Sequence, residues 1–174
     1  VRHHLARASA AGDAGLHRPC RCLAVLAPVL AGLGRLAERR GIRLSHSLPE
    51  ALTVRMGPQD LQELVGNLLE NALRWADSRV ILAGRSEAGG SWLEVEDDGP
   101  GMSEAQRRQA MARGARLDEV RSGSGLGLAI VADLVALHGG RLSLDRSRLG
   151  GLAVRVWLPT RPLTEAGPAD RQDG

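Results

Sequence analysis

Two hydrophobic periods alternate along this chain, and their order limits the fold more than any single residue does. Apolar residues recur at helical spacing over 23–40 (LAVLAPVLAGLGRLAERR), from Asp60 to about Trp75, and over 125–138 (GLGLAIVADLVALH). Gly41 and Gly139-Gly140 read as stops, Asp60 as a cap or first-turn residue, and Pro28 is tolerable only near a first turn. Residues 42–47, 52–56, 79–86, 91–97, 141–146 and 151–158 read instead as strands, with turns at Pro49 and Gly89-Gly90. Residues 98–124 are rich in Gly, Arg and Ser with little period and read as a long loop, a kind that is usually functional or disordered. Residues 1–20 have no clear period and read as a fraying helix end, and the polar, turn-rich stretch from Arg161 on as a disordered tail.

Composition narrows the class. At 174 residues, 43% hydrophobic and 25% charged, the chain suits one globular domain with an appendage, which excludes a disulfide scaffold, collagen or whole-chain disorder. No apolar run reaches the roughly 18 residues of a membrane helix. Opening on Val1 without a signal peptide, the chain reads as a piece of a longer protein. It has no Phe, Tyr or Lys, so an aromatic stacking surface has to come from Trp75, Trp92 or Trp157. Residues 1–43 hold 8 Arg against 2 acids, and the remainder 15 Arg against 18. That imbalance fits an acidic partner surface or plain solvation better than nucleic acid, which needs a basic face with reading groups. Cys20 and Cys22 form a lone C-x-C, too close for a structural disulfide and without the second pair that zinc needs; with His3, His4 and His17 nearby, ordinary reduced thiols are expected over a metal site.

Three segments carry chemistry. In LQELVGNLLENALRW, Leu61, Leu64, Val65, Leu68, Leu69 and Ala72 share one helical side. Asn67 and Asn71, the only asparagines, sit at i, i+4, and Arg74 and Trp75 continue their stripe at its border. Amide oxygens suit a Mg²⁺ already held by phosphates, Arg can fork onto phosphate oxygens, and Trp can stack on a base. In EDDGPGM, Gly99 and Gly101 permit a sharp turn and a close ligand, and Asp97 can accept from an exocyclic amine. In RSGSGLGLAIV, Gly123, Gly125 and Gly127 open a helix whose N–H groups favour anions, with Arg113, Arg116 and Arg121 in the preceding loop. Neither a P-loop nor G-x-G-x-x-G is present there, and the G-L-G-R-L-A of residues 32–37 lies inside a helical period.

The order of the three resembles the ATP-binding domain of the GHKL superfamily, above all bacterial sensor histidine kinases. NLLENALRW looks like their N box, DDGPG their G1 box and GSGLGLAIV their G2 box. The likeness covers about residues 22–158, and RGARLDEVRSGSGLGLAIV followed by LGGLAVRV looks like the PhoQ-type subgroup. It implies a Bergerat-type α/β two-layer sandwich, one mixed sheet backed by three helices, with an ATP lid loop. Residues 1–22 would be the tail of a dimerisation-domain helix or a linker, 23–159 the catalytic domain and 160–174 the tail. Asn67 and Asn71 would hold Mg²⁺, Arg74 would lie near the phosphates and Trp75 beside the nucleotide. Asp97 would accept from the adenine amino group, and Gly99 and Gly101 would shape its pocket. Gly123, Gly125 and Gly127 would hinge the lid, Leu128 would join the nucleotide-binding set, and Arg116 and Arg121 would reach the phosphates. Asn67, Arg74, Arg116 and Arg121 are the residues expected to serve catalysis.

The implied reaction passes the γ-phosphoryl group of ATP to a histidine on a dimerisation domain. The implied partners are that domain and a response regulator, with no nucleic acid, in a cytoplasmic domain of a membrane-bound homodimeric sensor. Two departures stand out. Met111 lies where the family's F box carries Phe, and no H box follows His3 or His4, so the phosphoacceptor histidine lies upstream or in a partner. A GHKL ATPase places a Glu four residues before the metal-binding Asn, but that position before Asn71 is Asn67; pairing Glu63 with Asn67 would misplace Arg74 and Trp75. A non-enzymatic nucleotide-binding module, motivated by the missing Phe, and a serine kinase are the other readings.

Overall fold

A computed structural model describes residues 18–114 and 126–160 of the chain. The elements run β1 (Cys20–Arg21), α1 (Cys22–Arg39), β2 (Arg43–Ser47), β3 (Thr53–Val54), α2 (Pro58–Trp75), β4 (Arg79–Glu87), β5 (Gly90–Asp97), α3 (Glu104–Gly114), α4 (Leu126–Leu137), β6 (Arg141–Arg146) and β7 (Leu152–Pro159). Five strands form one mixed sheet in the order β2-β4-β5-β7-β6, with β2 parallel to β4 and the other neighbours antiparallel. Helices α1, α2 and α4 pack together on one face of this sheet, which is the two-layer α/β sandwich expected.

The reason lies in the faces. Along β5 and β7 alternate residues turn inward, so Leu93, Val95, Val154, Val156 and Leu158 are buried against the helices. Helix α2 answers with Leu61, Leu64, Val65, Leu68, Leu69, Ala72 and Leu73, all buried. It begins with Gly57 at the cap position and has Pro58, whose missing N–H matters least there, and Asp60 in its first turn. Helix α1 ends where Gly41 N–H meets Glu38 O and Ile42 N–H meets Ala37 O, and α4 ends in the same way at Gly139-Gly140.

On the sheet's opposite face, cross-strand register sets Arg85, Trp92, Trp157 and Arg141 in one row. Each guanidinium lies over a ring, Arg85 at 5.7 Å from the Trp92 centroid and Arg141 at 4.3 Å from that of Trp157. Two of the three tryptophans therefore brace strands, which leaves Trp75 as the aromatic residue on α2.

Three expectations need correction. The segment 98–124 is not one loop: α3 occupies Glu104–Gly114. Its start is a reciprocal cap, with Gln106 N–H donating to Ser103 Oγ at 3.2 Å and Ser103 N–H to Gln106 Oε1 at 2.7 Å. A helix this polar shows no apolar period, so only its S-E-A-Q cap was readable. The described residues thus contain a fourth helix besides the three that back the sheet. Secondly, the strand expected at 52–56 shrinks to Thr53–Val54 and pairs with Cys20–Arg21 in a separate two-stranded sheet, tied to β5 by Ser91 Oγ donating to Thr53 O at 2.9 Å. The chain is extended there, where a helix end was expected. Thirdly, Pro28 lies well inside α1 rather than in its first turn. Among the described residues no helix is long and apolar enough to cross a membrane. Replacing fully buried Leu68 by Ala is expected to lower stability by about 2–5 kcal/mol, read from urea unfolding followed by far-UV circular dichroism.

Candidate functional site

Packing decides where α2 shows its polar stripe. Because Leu64, Leu68 and Ala72 are buried, half-buried Asn67 and Asn71 emerge at the edge of the core, and Arg74 and Trp75 lie exposed at the helix end. Asn67 Nδ2 donates to Glu63 O at 2.7 Å, which fixes the amide and identifies Oδ1 as the oxygen turned away from the helix. Gly127, in the first turn of α4, approaches that oxygen: a Cβ added there would lie 3.5 Å from Asn67 Oδ1. The N-box and G2-box residues are therefore adjacent.

The other end of the stripe meets the G1 turn. A Cβ on Gly99 would lie 2.1 Å from Trp75 O, so no other residue fits without moving the end of α2. Gly101 has φ 68°, a conformation that L side chains avoid, and lies against the backbone of Gly151. Between Asn67 and Trp75 the helix rises about 12 Å, so one element carries residues against both glycine motifs.

Asp97 is the buried acid of this frame, 3% exposed. Its Oδ1 accepts from Gly99 N–H at 2.9 Å and Leu152 N–H at 3.2 Å. Oδ2 is left as an acceptor without a partner among the described residues. Burial pushes the carboxyl up; the two N–H groups oppose this, and the charges of Asp98 and Asp77 add to the rise. Asp98 goes the opposite way. Although desolvation raises it, the Ser78 hydroxyl and the N–H groups of Ser78, Arg79 and Asp77 hold it well below the usual carboxylate range.

The β6–β7 turn completes the wall, and its sequence signal was slight. Gly150 has φ 110°, whereas Gly151 is required by space, since a Cβ there would lie 2.1 Å from Asp97 Oδ1. Gly151 N–H also donates to Asp97 O at 3.2 Å. Sequence reading noted LGG only as a likeness; a double glycine of which only the first adopts a left-handed conformation is the mark of close packing.

Other expected residues fall elsewhere. Half-buried Leu128 packs on the core and lines a small apolar cavity with Ala110, Met111, Ala132, Leu142 and Leu144. Exposed Met111 thus sits beside α4, on α3. Arg116, Arg121, Gly123 and Gly125 lie outside the described residues. Cys22 is fully buried and pushed up to about 12, by burial first and by neighbouring Cys20 second. Among the described residues, no three His, Cys, Asp or Glu side chains gather as a metal site.

Comparison with known proteins matches this arrangement. The family described as histidine kinase-, DNA gyrase B- and HSP90-like ATPase matches residues 56–162. This chain belongs to that family. The sensor protein kinase CarS of Pseudomonas aeruginosa is 44% identical over 169 residues, which are 96% of this chain and 37% of CarS. The two-component sensor PhoQ of the same organism is 38% identical over 161 residues, 92% of this chain and 36% of that protein. The chain thus spans little more than a third of the length of these relatives. The structure of the mycobacterial sensor histidine kinase MprB, 30% identical, superposes with a TM-score of 0.69 over 85% of this chain and all of that one. The fold is therefore of the GHKL type, and its relatives are sensor histidine kinases.

The two neighbouring aspartates predict opposite pH behaviour. Asp97, raised by folding, adds stability that is present below its unfolded value of about 3.9 and is lost as pH rises. Asp98, lowered by folding, adds stability that is present above that value and is lost as pH falls. Asp97→Asn is therefore expected to melt no lower than the parent at pH 7. Asp98→Asn is expected to melt lower at pH 7, with the gap closing below about pH 4; thermal melts across pH check both. Gly99→Ala is expected to lower the melting temperature and abolish nucleotide binding together.

Proposed function

We propose that this domain binds ATP with Mg²⁺ and delivers the γ-phosphoryl group to a histidine of a dimerisation domain. The observation that carries this is the buried Asp97 carboxylate, held by two backbone N–H groups with Oδ2 left to accept. A buried, fixed acceptor calls for a donor, and the exocyclic amino group of adenine supplies one where guanine would present a carbonyl. Gly99 and Gly151 keep side chains off the carboxylate, and Gly101 lets the turn pack on Gly151.

The donor set also fits Mg²⁺. Asn67 Oδ1 is a neutral hard oxygen oriented by the bond from Nδ2, and Asn71 stands one turn further along the same stripe. Bound there on the phosphates, Mg²⁺ would neutralise charge that builds on them during transfer. In this reading Arg74, in the last turn of α2, serves the phosphates together with Arg116, Arg121, Gly123, Gly125 and Gly127. The protein's part is positioning and charge stabilisation. In the transfer, an imidazole nitrogen of the acceptor bonds to the γ-phosphorus as the bond to the ADP oxygen breaks, and ADP leaves.

Hydrolysis is less well served. The residue four before Asn71 is Asn67, whose amide cannot take a proton from water and is already bonded to Glu63 O. In this reading residues 23–159 are the catalytic domain and 1–22 lead from the dimerisation domain. The whole protein is a homodimeric membrane sensor with this domain on the cytoplasmic side and a response regulator downstream, as suits a relative of CarS and PhoQ.

Calorimetric titration of the chain tests the site. ATP is expected to bind better with Mg²⁺ than without it, and Asn71→Ala to remove the Mg²⁺ dependence. ATP is expected to bind better than GTP, and Asp97→Asn to lose about 1.5–3 kcal/mol of ATP binding. Equal binding of the two nucleotides would remove Asp97 from this role. Supplying a dimerisation domain with its histidine and γ-labelled ATP is expected to yield phosphohistidine; steady phosphate release by the isolated chain would point to an ATPase instead.

A further inference from the structure

Asp97 is the middle of an acidic triplet, and its two neighbours are engaged elsewhere. Side chains alternate along a strand, so Glu96 turns away from the face on which Asp97 lies, while Asp98 follows the end of β5 and has its own partners. Buried Glu96 reaches the β6–β7 turn: its Oε1 accepts from Ser147 Oγ at 3.3 Å and from Arg148 N–H at 3.2 Å, and its Oε2 lies 2.8 Å from Arg148 Nε. Asp98 reaches the α2–β4 connection. Its Oδ1 accepts from the N–H groups of Asp77, Ser78 and Arg79 at 3.0, 2.9 and 2.9 Å, and its Oδ2 takes the Ser78 hydroxyl at 2.5 Å.

These two connections are the walls of the Asp97 site. The β6–β7 turn delivers Leu152 N–H to Asp97 Oδ1 and Gly151 N–H to Asp97 O. The end of α2 just before the second connection places Trp75 O against Gly99, whose N–H is the other donor to Oδ1. Each donor that aims Asp97 therefore belongs to a segment held, directly or through its close neighbour, by one of the flanking carboxylates.

We propose that Glu96 and Asp98 are positioning residues for base recognition: by pinning the two connections they set the direction of Asp97 Oδ2, and with it the preference for an exocyclic amino group over a carbonyl. This rests on the reading of Asp97 as the base anchor. Both flanking carboxylates are already engaged within the chain, so neither is assigned a contact with the nucleotide. A merely structural clamp would affect ATP and GTP alike, whereas a clamp that aims one acceptor affects their ratio.

The test is calorimetric titration of the full chain and its variants with Mg-ATP and Mg-GTP, at a temperature where circular dichroism shows each folded. Asp98→Ala is expected to lower the ATP-over-GTP affinity ratio by about two- to tenfold, the size of one misaligned hydrogen bond. Asp98→Asn, which keeps an oxygen for the three N–H groups, is expected to restore most of the ratio. Arg148→Ala, at a residue whose side chain is 70% exposed, removes the ion pair at Glu96 Oε2 without opening the core and leaves the two bonds to Oε1, so it is expected to lower the ratio by a smaller factor. An unchanged ratio in folded Asp98→Ala overturns the proposal. If Asp98→Ala does not fold, an unchanged ratio in Arg148→Ala overturns it. A parent chain that binds ATP and GTP equally overturns the Asp97 reading itself, and this proposal with it.

Discussion

Every functional distance in this domain is measured from helix α2, and α2 is held by its apolar side. Seven buried side chains, from Leu61 to Leu73, lock its rotation about its axis against the sheet and the neighbouring helices. At roughly 25 cal/mol per Å² of apolar surface, that contact is much larger than any polar bond the helix makes. It leaves the stripe of Asn67, Asn71 and Arg74 no freedom to turn away from the edge where Gly127 and Gly99 approach. Slippage by one residue would rotate the amides by about 100° and bury them, unpaired, in the core.

Within that frame the binding chemistry depends on a balance around three consecutive acids. Burial disfavours the charge of Asp97, and two N–H groups only partly offset it. A carboxylate kept short of donors has more to gain from a ligand that brings one. Asp98, one residue on, is oversupplied with donors and is correspondingly stable as an anion. Adjacent residues of the same type are thus satisfied differently, one with an oxygen left to accept and the other filled by backbone N–H groups and a hydroxyl, because the pleat and the turn that follows send their side chains to different neighbours.

Much of this was legible in advance. The stripe on α2, the turn chemistry of Gly99 and Gly101 and the Gly-led start of α4 follow from spacing alone, and the helix and strand periods gave the layer composition. The helix α3 was missed because Glu104–Gly114 has no apolar period, and the reciprocal Ser103–Gln106 cap was its only readable signal. The small β1–β3 sheet was missed because two-residue strands carry no period at all. The roles of Glu96, Asp98 and Gly151 were invisible for a different reason: the partners that give them those roles lie at least 19 residues away.

The sequence by itself determined which residue types stand at which phase of each element: two amides one turn apart, an acid two residues before a glycine, glycines opening a helix. Those are local facts, fixed by periods of 3.6 and 2 and by the residues that permit sharp turns. Only the tertiary structure decided that Asp97 is buried with one oxygen engaged and one left over, that Asn67 faces Gly127, and that the β6–β7 turn closes on the acid. Burial and hydrogen-bond partners are properties of what surrounds a side chain, and here the surroundings come from strands and turns distant in the chain.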